Sequence, residues 1–229
     1  MIDELPKPYY DRDGIVVYHG DCRDVLPHLG RFDLLLTDIP YDKVSRKSGG
    51  LRSLDKGKAD VATFSLEWLV NATWDIAKSH YVWCGTEQIS ELRARYVENG
   101  LTTRLCIWEK TNPSPMNGEH FWLSSLETCI FARHSNAPFN AFCQSPLFRG
   151  SIARNQIHDT QKPLWLFRKL IDVSCPAGGT VLDLCGGSLT TAVACKLAGI
   201  QCTIIEQDAE YCRKGVERLR QGVLDFEGE

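Results

Sequence analysis

The 229-residue sequence predicts an α/β protein built on a doubly wound, seven-stranded, mostly parallel sheet, and three observations carry that expectation. Short apolar runs rich in β-branched and aromatic residues alternate with segments of helical periodicity, the pattern that crossover helices on a parallel sheet require. Near the C-terminus a strand, a glycine turn and a helix follow one another directly. With 43% hydrophobic residues the chain can bury one full core, most simply as a single domain over 1–229.

The elements follow in order. IVVY at 15–18 reads as the first strand and FDLLLT at 32–37 as the second. A helix is predicted over 66–79, then a strand at 81–84 (YVWC) and a helix over 87–98. Strands at 102–108 and 126–132 come next. The helix at 163–174 has Pro163 in its first turn and Leu164, Phe167, Leu170 and Ile171 at helical spacing. TVLDL at 180–184 is a strand, the helix over 189–198 stops at Gly199, QCTII at 201–205 is the last strand, and 208–220 the last helix. Residues 42–63 are polar and charged, and 111–120 with 133–160 are rich in turn formers.

Several function classes are excluded early. No run approaches the roughly 18 apolar residues of a membrane span, and MIDELPKPYY lacks the charge pattern and apolar stretch of a signal peptide, so a cytoplasmic protein is expected. The ten cysteines form no CxxC, and Cys84, Cys106, Cys129 and Cys202 sit in apolar runs, as buried free thiols do. A net charge of -3 and a pI near 6.1 give no global attraction for nucleic acid, so any such attraction must be local.

The clearest cofactor signal is TVLDLCGGSLTTAVACKLAGIQCTIIEQD. A strand ends in Asp183, the small-residue turn Cys185-Gly186-Gly187-Ser188 follows, and the next strand ends at Glu206, 19 residues beyond Gly187. Glycines let a ligand approach the backbone closely, and an acid at the end of the second strand suits ribose hydroxyls, so a nucleoside-type cofactor is expected there. An ordinary strand-turn-helix with a packing glycine pair is the alternative reading of the same residues.

The G-x-G-x-x-G of dinucleotide folds is missing. Instead DLCGGSLTT at 183–191 resembles the D-P-F-x-G-S-G-T-T loop of DNA amino methyltransferases. Asp38-Ile39-Pro40-Tyr41 resembles that family's catalytic D-P-P-Y, and Thr160-Gln161-Lys162-Pro163 resembles its T-x-K-P segment. Gly20-Asp21-Cys22 resembles the strand-end G-D that lies against the cofactor adenine. The catalytic tetrapeptide precedes the cofactor loop by 145 residues, Asp38 to Asp183, which resembles the β-class order. The resemblance implies a circularly permuted, Rossmann-like fold that uses S-adenosylmethionine to methylate DNA. It implies Asp21, Cys22, Asp38, Thr160, Gln161, Lys162, Asp183, Cys185, Gly186, Gly187, Ser188, Glu206 and Gln207 as cofactor residues.

The resemblance also implies a chemistry. An exocyclic amine is a weak nucleophile because its lone pair is delocalised into the base. The Asp38 carboxylate and the Ile39 carbonyl would accept its hydrogens, Pro40 would hold that carbonyl, and Tyr41 would stack on the extruded base. Neither a metal nor a catalytic cysteine is required. Aspartate at position 38 goes mostly with adenine N6 in this family, against cytosine N4 for serine. A fold retained for nucleic-acid binding without turnover is the reading from another class, and RNA or protein glutamine are the rival substrates.

Two positions depart from the family pattern, Ile39 for its first proline and Leu189 for its last loop glycine. If position 189 needs a positive φ, leucine there is strained. DNA contact is expected from the basic segment 42–63, with Lys43, Arg46, Lys47, Arg52, Lys56 and Lys58, as phosphate contacts or a lid. A short recognition insertion within 111–160 carries Asn112, Asn117, His120, Arg133, His134, Asn140, Gln144, Arg149, Arg154, Asn155 and Gln156, side chains able to read base edges. A homodimer would supply further contacts.

Overall fold

The computed structural model describes residues 4–41, 64–115, 118–152 and 161–220. Among the described residues nine strands form one sheet in the order β1-β2-β9-β8-β3-β4-β6-β5-β7. They are β1 (Tyr10–Arg12), β2 (Ile15–His19), β3 (Phe32–Asp38), β4 (Ala77–Cys84), β5 (Thr102–Lys110), β6 (Leu126–Arg133), β7 (Leu147–Gly150), β8 (Thr180–Asp183) and β9 (Gln201–Glu206). All seven expected strands are present, and two short edge strands are added.

Each addition has a local cause. Asp13 and Gly14 adopt φ of 55° and 75°, the paired left-handed conformation of a two-residue hairpin turn, and fold β1 antiparallel onto β2. Strand β7, inside the turn-rich 133–160 segment, pairs parallel with β5 over Ile107–Lys110. The helix expected over 66–79 ends earlier, as α2 (Leu66–Thr73), and β4 begins at Ala77. The apolar signal hid this because Ser79 and His80 are polar yet fully buried, His80 donating Nε2–H to the Ala77 carbonyl at 3.0 Å.

The remaining helices are α1 (Cys22–Val25), α3 (Ile89–Glu98), α4 (Leu164–Ser174), α5 (Thr190–Ala198) and α6 (Ala209–Arg220). Alternation along the strands divides the core. Leu34, Leu36, Tyr81 and Trp83 face the layer of α4, α5 and α6, while Leu35, Val82 and Ile130 face α1, α2 and α3. Both faces are therefore covered, as parallel sheets require.

The topology places the site. Strands β2, β9, β8, β3 and β4 run parallel, and β5 and β7 run the same way on the far side of antiparallel β6. The C-terminal ends of seven strands thus meet one edge, with the start of β6 among them. Late-sequence β8 and β9 fill the gap between early β2 and β3. That insertion is the permuted arrangement, and it brings Asp38 and Asp183 to the same edge.

Candidate active site

Strand β3 ends at Asp38, and the ladder runs one residue further, where the Ile39 amide donates to the Trp83 carbonyl at 3.1 Å. Pro40 has no N–H and stops it. Its carbonyl accepts from Gln88 Nε2 at 3.1 Å, while Gln88 Oε1 accepts from the Gly85 amide at 2.8 Å. Buried Gln88 therefore ties the tetrapeptide to the end of β4. A methyl on Gly85 would come 3.5 Å from Tyr41 Cβ, so the tyrosine rests close over that glycine.

Charges alternate along a buried line. Lys162 Nζ lies 2.5 Å from Asp38 Oδ2 and 2.9 Å from Glu127 Oε2, and Lys110 Nζ lies 2.7 Å from Glu127 Oε1. Asp38 Oδ1 accepts the Tyr41 hydroxyl at 3.4 Å, a long contact. The Lys162 ammonium is also 5.7 Å from the ring centroids of both Tyr41 and Trp83, within cation–π range. Burial works against the Lys162 ammonium, but the carboxylates of Asp38 and Glu127 more than offset it, and its pKa lies well above the ordinary lysine value. Burial raises the Asp38 carboxyl, with Lys162 opposing.

The cofactor half adjoins this line through β8. Asp183 Oδ2 accepts the Thr191 hydroxyl at 2.5 Å, and Oδ1 accepts the Cys185 amide at 3.1 Å. Burial pushes the Asp183 carboxyl up to about 6. Glu206 accepts the Gly187 amide on Oε2 at 2.5 Å and the Asp208 amide on Oε1 at 2.7 Å, closing the turn against the end of β9. Gly187 has φ of 50° with open space where a side chain would stand, whereas a methyl at Gly186 would strike Ile204. Leu189 does adopt a positive φ, 56°, with its side chain fully buried. The fold also joins 20–22 to 206–207. The Gly20 amide donates to the Glu206 carbonyl at 3.0 Å, and His19 Nε2 donates to that of Gln207 at 3.2 Å.

The sequence profile of N6/N4 methyltransferases, described as DNA methylase, matches residues 32–217. The chain belongs to the DNA methylase family. Type II methyltransferase M2.MboI of Moraxella bovis is 29% identical over 250 residues, covering 94% of this chain and 92% of that protein. Among solved structures, the M1.HpyAVI–SAM complex aligns with a TM-score of 0.72 at 24% identity, covering 89% of this chain and 99% of the other. PvuII DNA methyltransferase, titled cytosine-N4-specific, aligns with 0.75 at 16% identity, covering 97% and 91%. Those two likenesses establish the fold.

In this methylase the expected site residues divide into three groups. Asp38, Ile39, Pro40, Tyr41 and Lys162 converge, as do Asp183, Cys185, Gly186, Gly187, Ser188 and Glu206 beside Asp21, Cys22 and Gln207. Lys162, read from the sequence with the cofactor, makes its closest contact to Asp38. Asp21 caps α1 and holds the Arg23 guanidinium at 2.5 Å. Gln161 is buried beside Lys162.

Several of the expected DNA contacts are engaged internally. Asn112 Oδ1 accepts the Ile152 amide at 2.7 Å, and Arg149 pairs with Glu109 at 2.9 Å. Both flank the catalytic edge. Arg133, His134 and Asn140 lie at the opposite edge and donate to backbone carbonyls, His134 to Trp74 and Asn140 to Asp172 and Cys175. Lys43, Arg46, Lys47, Arg52, Lys56, Lys58, Asn117, Arg154, Asn155, Gln156 and Thr160 lie outside the described residues.

Three positions escaped the sequence reading: Glu127, Lys110 and Gln88. Their signal was available, because a charge inside an apolar strand (LETCIFAR, CIWEK) needs a buried counter-charge. For Gln88 the cue is weaker, a glycine at a strand end followed three residues later by an amide side chain.

Proposed function

We propose that this methylase transfers the methyl group of S-adenosylmethionine to adenine N6 of DNA. The observation that carries the proposal is the joining, at one sheet edge, of the Asp38-Ile39-Pro40-Tyr41 strand end and the Asp183–Glu206 glycine turn. The turn fits the cofactor chemically. Asp183 and Glu206 retain lone pairs for hydroxyl or ammonium donors, and Gly187 leaves room for a ligand against the backbone. When bound, the cofactor supplies an electrophilic methyl on a sulfonium sulfur.

The chain's own residues prepare the acceptor. Asp38 Oδ1 accepts a hydrogen bond from one amine N–H, displacing the weakly held Tyr41 hydroxyl, and the Ile39 carbonyl accepts one from the other; once the methyl has moved, the nitrogen's surplus proton leaves along the Asp38 contact. Both contacts return electron density to nitrogen. Gln88 and Pro40 fix the backbone between them, so the alignment is organised before the base arrives. Tyr41 offers its ring to the extruded base.

Adenine follows from aspartate at position 38, by the family resemblance. Incubating the protein with methyl-labelled cofactor and DNA, then separating the nucleosides by mass spectrometry, tests the whole reading. N6-methyladenine is the expected product. A product dominated by N4-methylcytosine would overturn the base assignment, and no label in DNA would overturn the activity. Recognition also calls for more surface than the short 111–160 segment supplies, so we include a homodimer on DNA, in the cytoplasm, in the proposal; sedimentation with and without duplex tests it. Among the described residues no helix is long and apolar enough to cross a membrane.

A further inference from the structure

We propose that Glu127 and Lys110 are positioning residues that set how strongly Lys162 holds Asp38, and so how well Asp38 accepts the hydrogens of the target amine. This inference rests on the methyl-transfer reading above.

The geometry is a four-member line of alternating sign, Lys110, Glu127, Lys162 and Asp38. Side-chain exposure is 14%, 16%, 3% and 25% in that order, so water screens the two inner members little. Glu127 divides its oxygens, Oε1 to Lys110 and Oε2 to Lys162. Lys162 divides its ammonium between Glu127 and Asp38. Each link therefore weakens its neighbour's grip. Removing Glu127 would leave Lys162 with one carboxylate, and the whole pull of the cation would fall on Asp38. Removing Lys110 would do the reverse, giving Lys162 the undivided charge of Glu127.

The arrangement also explains which oxygen works. Oδ2 of Asp38 is committed to Lys162 at 2.5 Å, while among the described residues Oδ1 has only the 3.4 Å hydroxyl of Tyr41. An ammonium fixed from behind holds the carboxylate plane and presents Oδ1 to the site. Among the described residues, the titratable groups facing Asp38 besides Lys162 and Glu127 are Tyr41, Cys84 on β4, Cys129 on β6 and Asp183 on β8, and none of these is cationic. The pull on Asp38 is thus adjusted through Lys162, and through Lys162 by the pair behind it.

The test is the pH profile of single-turnover methyl transfer for Glu127→Gln and Lys110→Met. Activity needs ionised Asp38, so with cofactor kept saturating at every pH, which takes the titration of Asp183 out of the profile, its loss at low pH reports that group. In Glu127→Gln the negative neighbour is gone and Lys162 pulls harder, so the acid limb should move down by about two units, for charges roughly 5 Å apart at an effective dielectric near 20. Its rate at the plateau should fall about tenfold, because Asp38 becomes a poorer acceptor, while the DNA KM and cofactor Kd stay within about twofold. In Lys110→Met the acid limb should move up. Opposite shifts cannot come from a general loss of packing. Acid limbs that stay put, or move together, would overturn the inference. Should Glu127→Gln fail to bind cofactor, the upward shift in Lys110→Met decides alone, since that change leaves the Lys162 contacts in place. A wild-type protein that methylates no DNA would instead overturn the function beneath it.

Discussion

A carboxylate buried at a strand end is costly unless something stabilises its charge, and the two catalytic-edge aspartates meet that cost differently. Burial raises both carboxyls, but Asp38 has an ammonium at 2.5 Å to oppose it, whereas Asp183 has a hydroxyl and one amide and is pushed up to about 6. Asp38→Ala is expected to abolish methyl transfer while cofactor affinity, measured by calorimetry, changes by no more than a few fold. Wild-type turnover in that variant would remove Asp38 from the mechanism. For Asp183 the sign runs the other way from a salt-bridged acid. Its folded value of about 6 exceeds the unfolded value of about 3.9, so ionisation opposes folding. The penalty is absent below about pH 4, grows as the pH rises, and is complete above about pH 6, at roughly 3 kcal/mol. Asp183→Asn should therefore raise Tm at pH 8, with the gain shrinking toward pH 4, and weaken S-adenosylmethionine at least tenfold. A Tm unchanged across that range would show that Asp183 ionises without strain. Both aspartates were legible in the sequence because each interrupts an apolar strand. Their partners were not, because Lys162 and Glu127 lie 124 and 89 residues from Asp38 and no local pattern links them.

At the scale of elements, the glycine turn shows how the fold accommodates a residue that local preference disfavours. Leu189 sits at φ of 56° as the N-cap of α5, a conformation that costs a non-glycine residue about 1–2 kcal/mol. Complete burial of its side chain offsets this, at about 1.5–3 kcal/mol. The space comes from α6, where Gly215 carries no Cβ and a methyl would overlap Leu189. A leucine replacing a loop glycine, read from the sequence as a threat to the loop, is thus seated by a glycine 26 residues later. Gly215→Ala should cost about 1–3 kcal/mol through overpacking, and Leu189→Ala about 2–5 kcal/mol through the cavity. The double variant should lose less than the sum, since the added methyl fills part of the vacated space. Urea midpoints that add would show that the two helices do not share this contact. The seven principal strands were legible for the opposite reason, that each carries a run of apolar residues. Edge strands β1 and β7, with three and four residues, bury too little to leave a pattern.

Across the whole molecule, both halves of the chain contribute to one edge, and the order of the motifs revealed this before any coordinate did. The glycine turn lies in the C-terminal quarter and the catalytic strand in the N-terminal one, and only a sheet that inserts β8 and β9 beside β3 can unite them. The electrostatics are less evenly shared. A net charge of -3 gives DNA no general attraction, yet 43–58 carries Lys43, Arg46, Lys47, Arg52, Lys56 and Lys58 against the single acid Asp55, directly after Tyr41. The described cations at the catalytic edge are paired, Lys110 and Lys162 with Glu127 and Arg149 with Glu109, which leaves them poorly placed to neutralise phosphate. We therefore propose that phosphate contact falls to the segment that follows the tetrapeptide. Each phosphate neutralised releases condensed counterions, lowering the log–log dependence of affinity on salt by about 0.9 on duplex DNA. Replacing Arg46, Lys47 and Arg52 together by alanine is expected to weaken duplex binding and to flatten that slope by up to about 2.7, with cofactor affinity unchanged. Fluorescence anisotropy of a labelled duplex between low and moderate salt measures both quantities. A parallel line, weaker or not, would assign the segment to solvent and require the phosphates to be met elsewhere on the molecule.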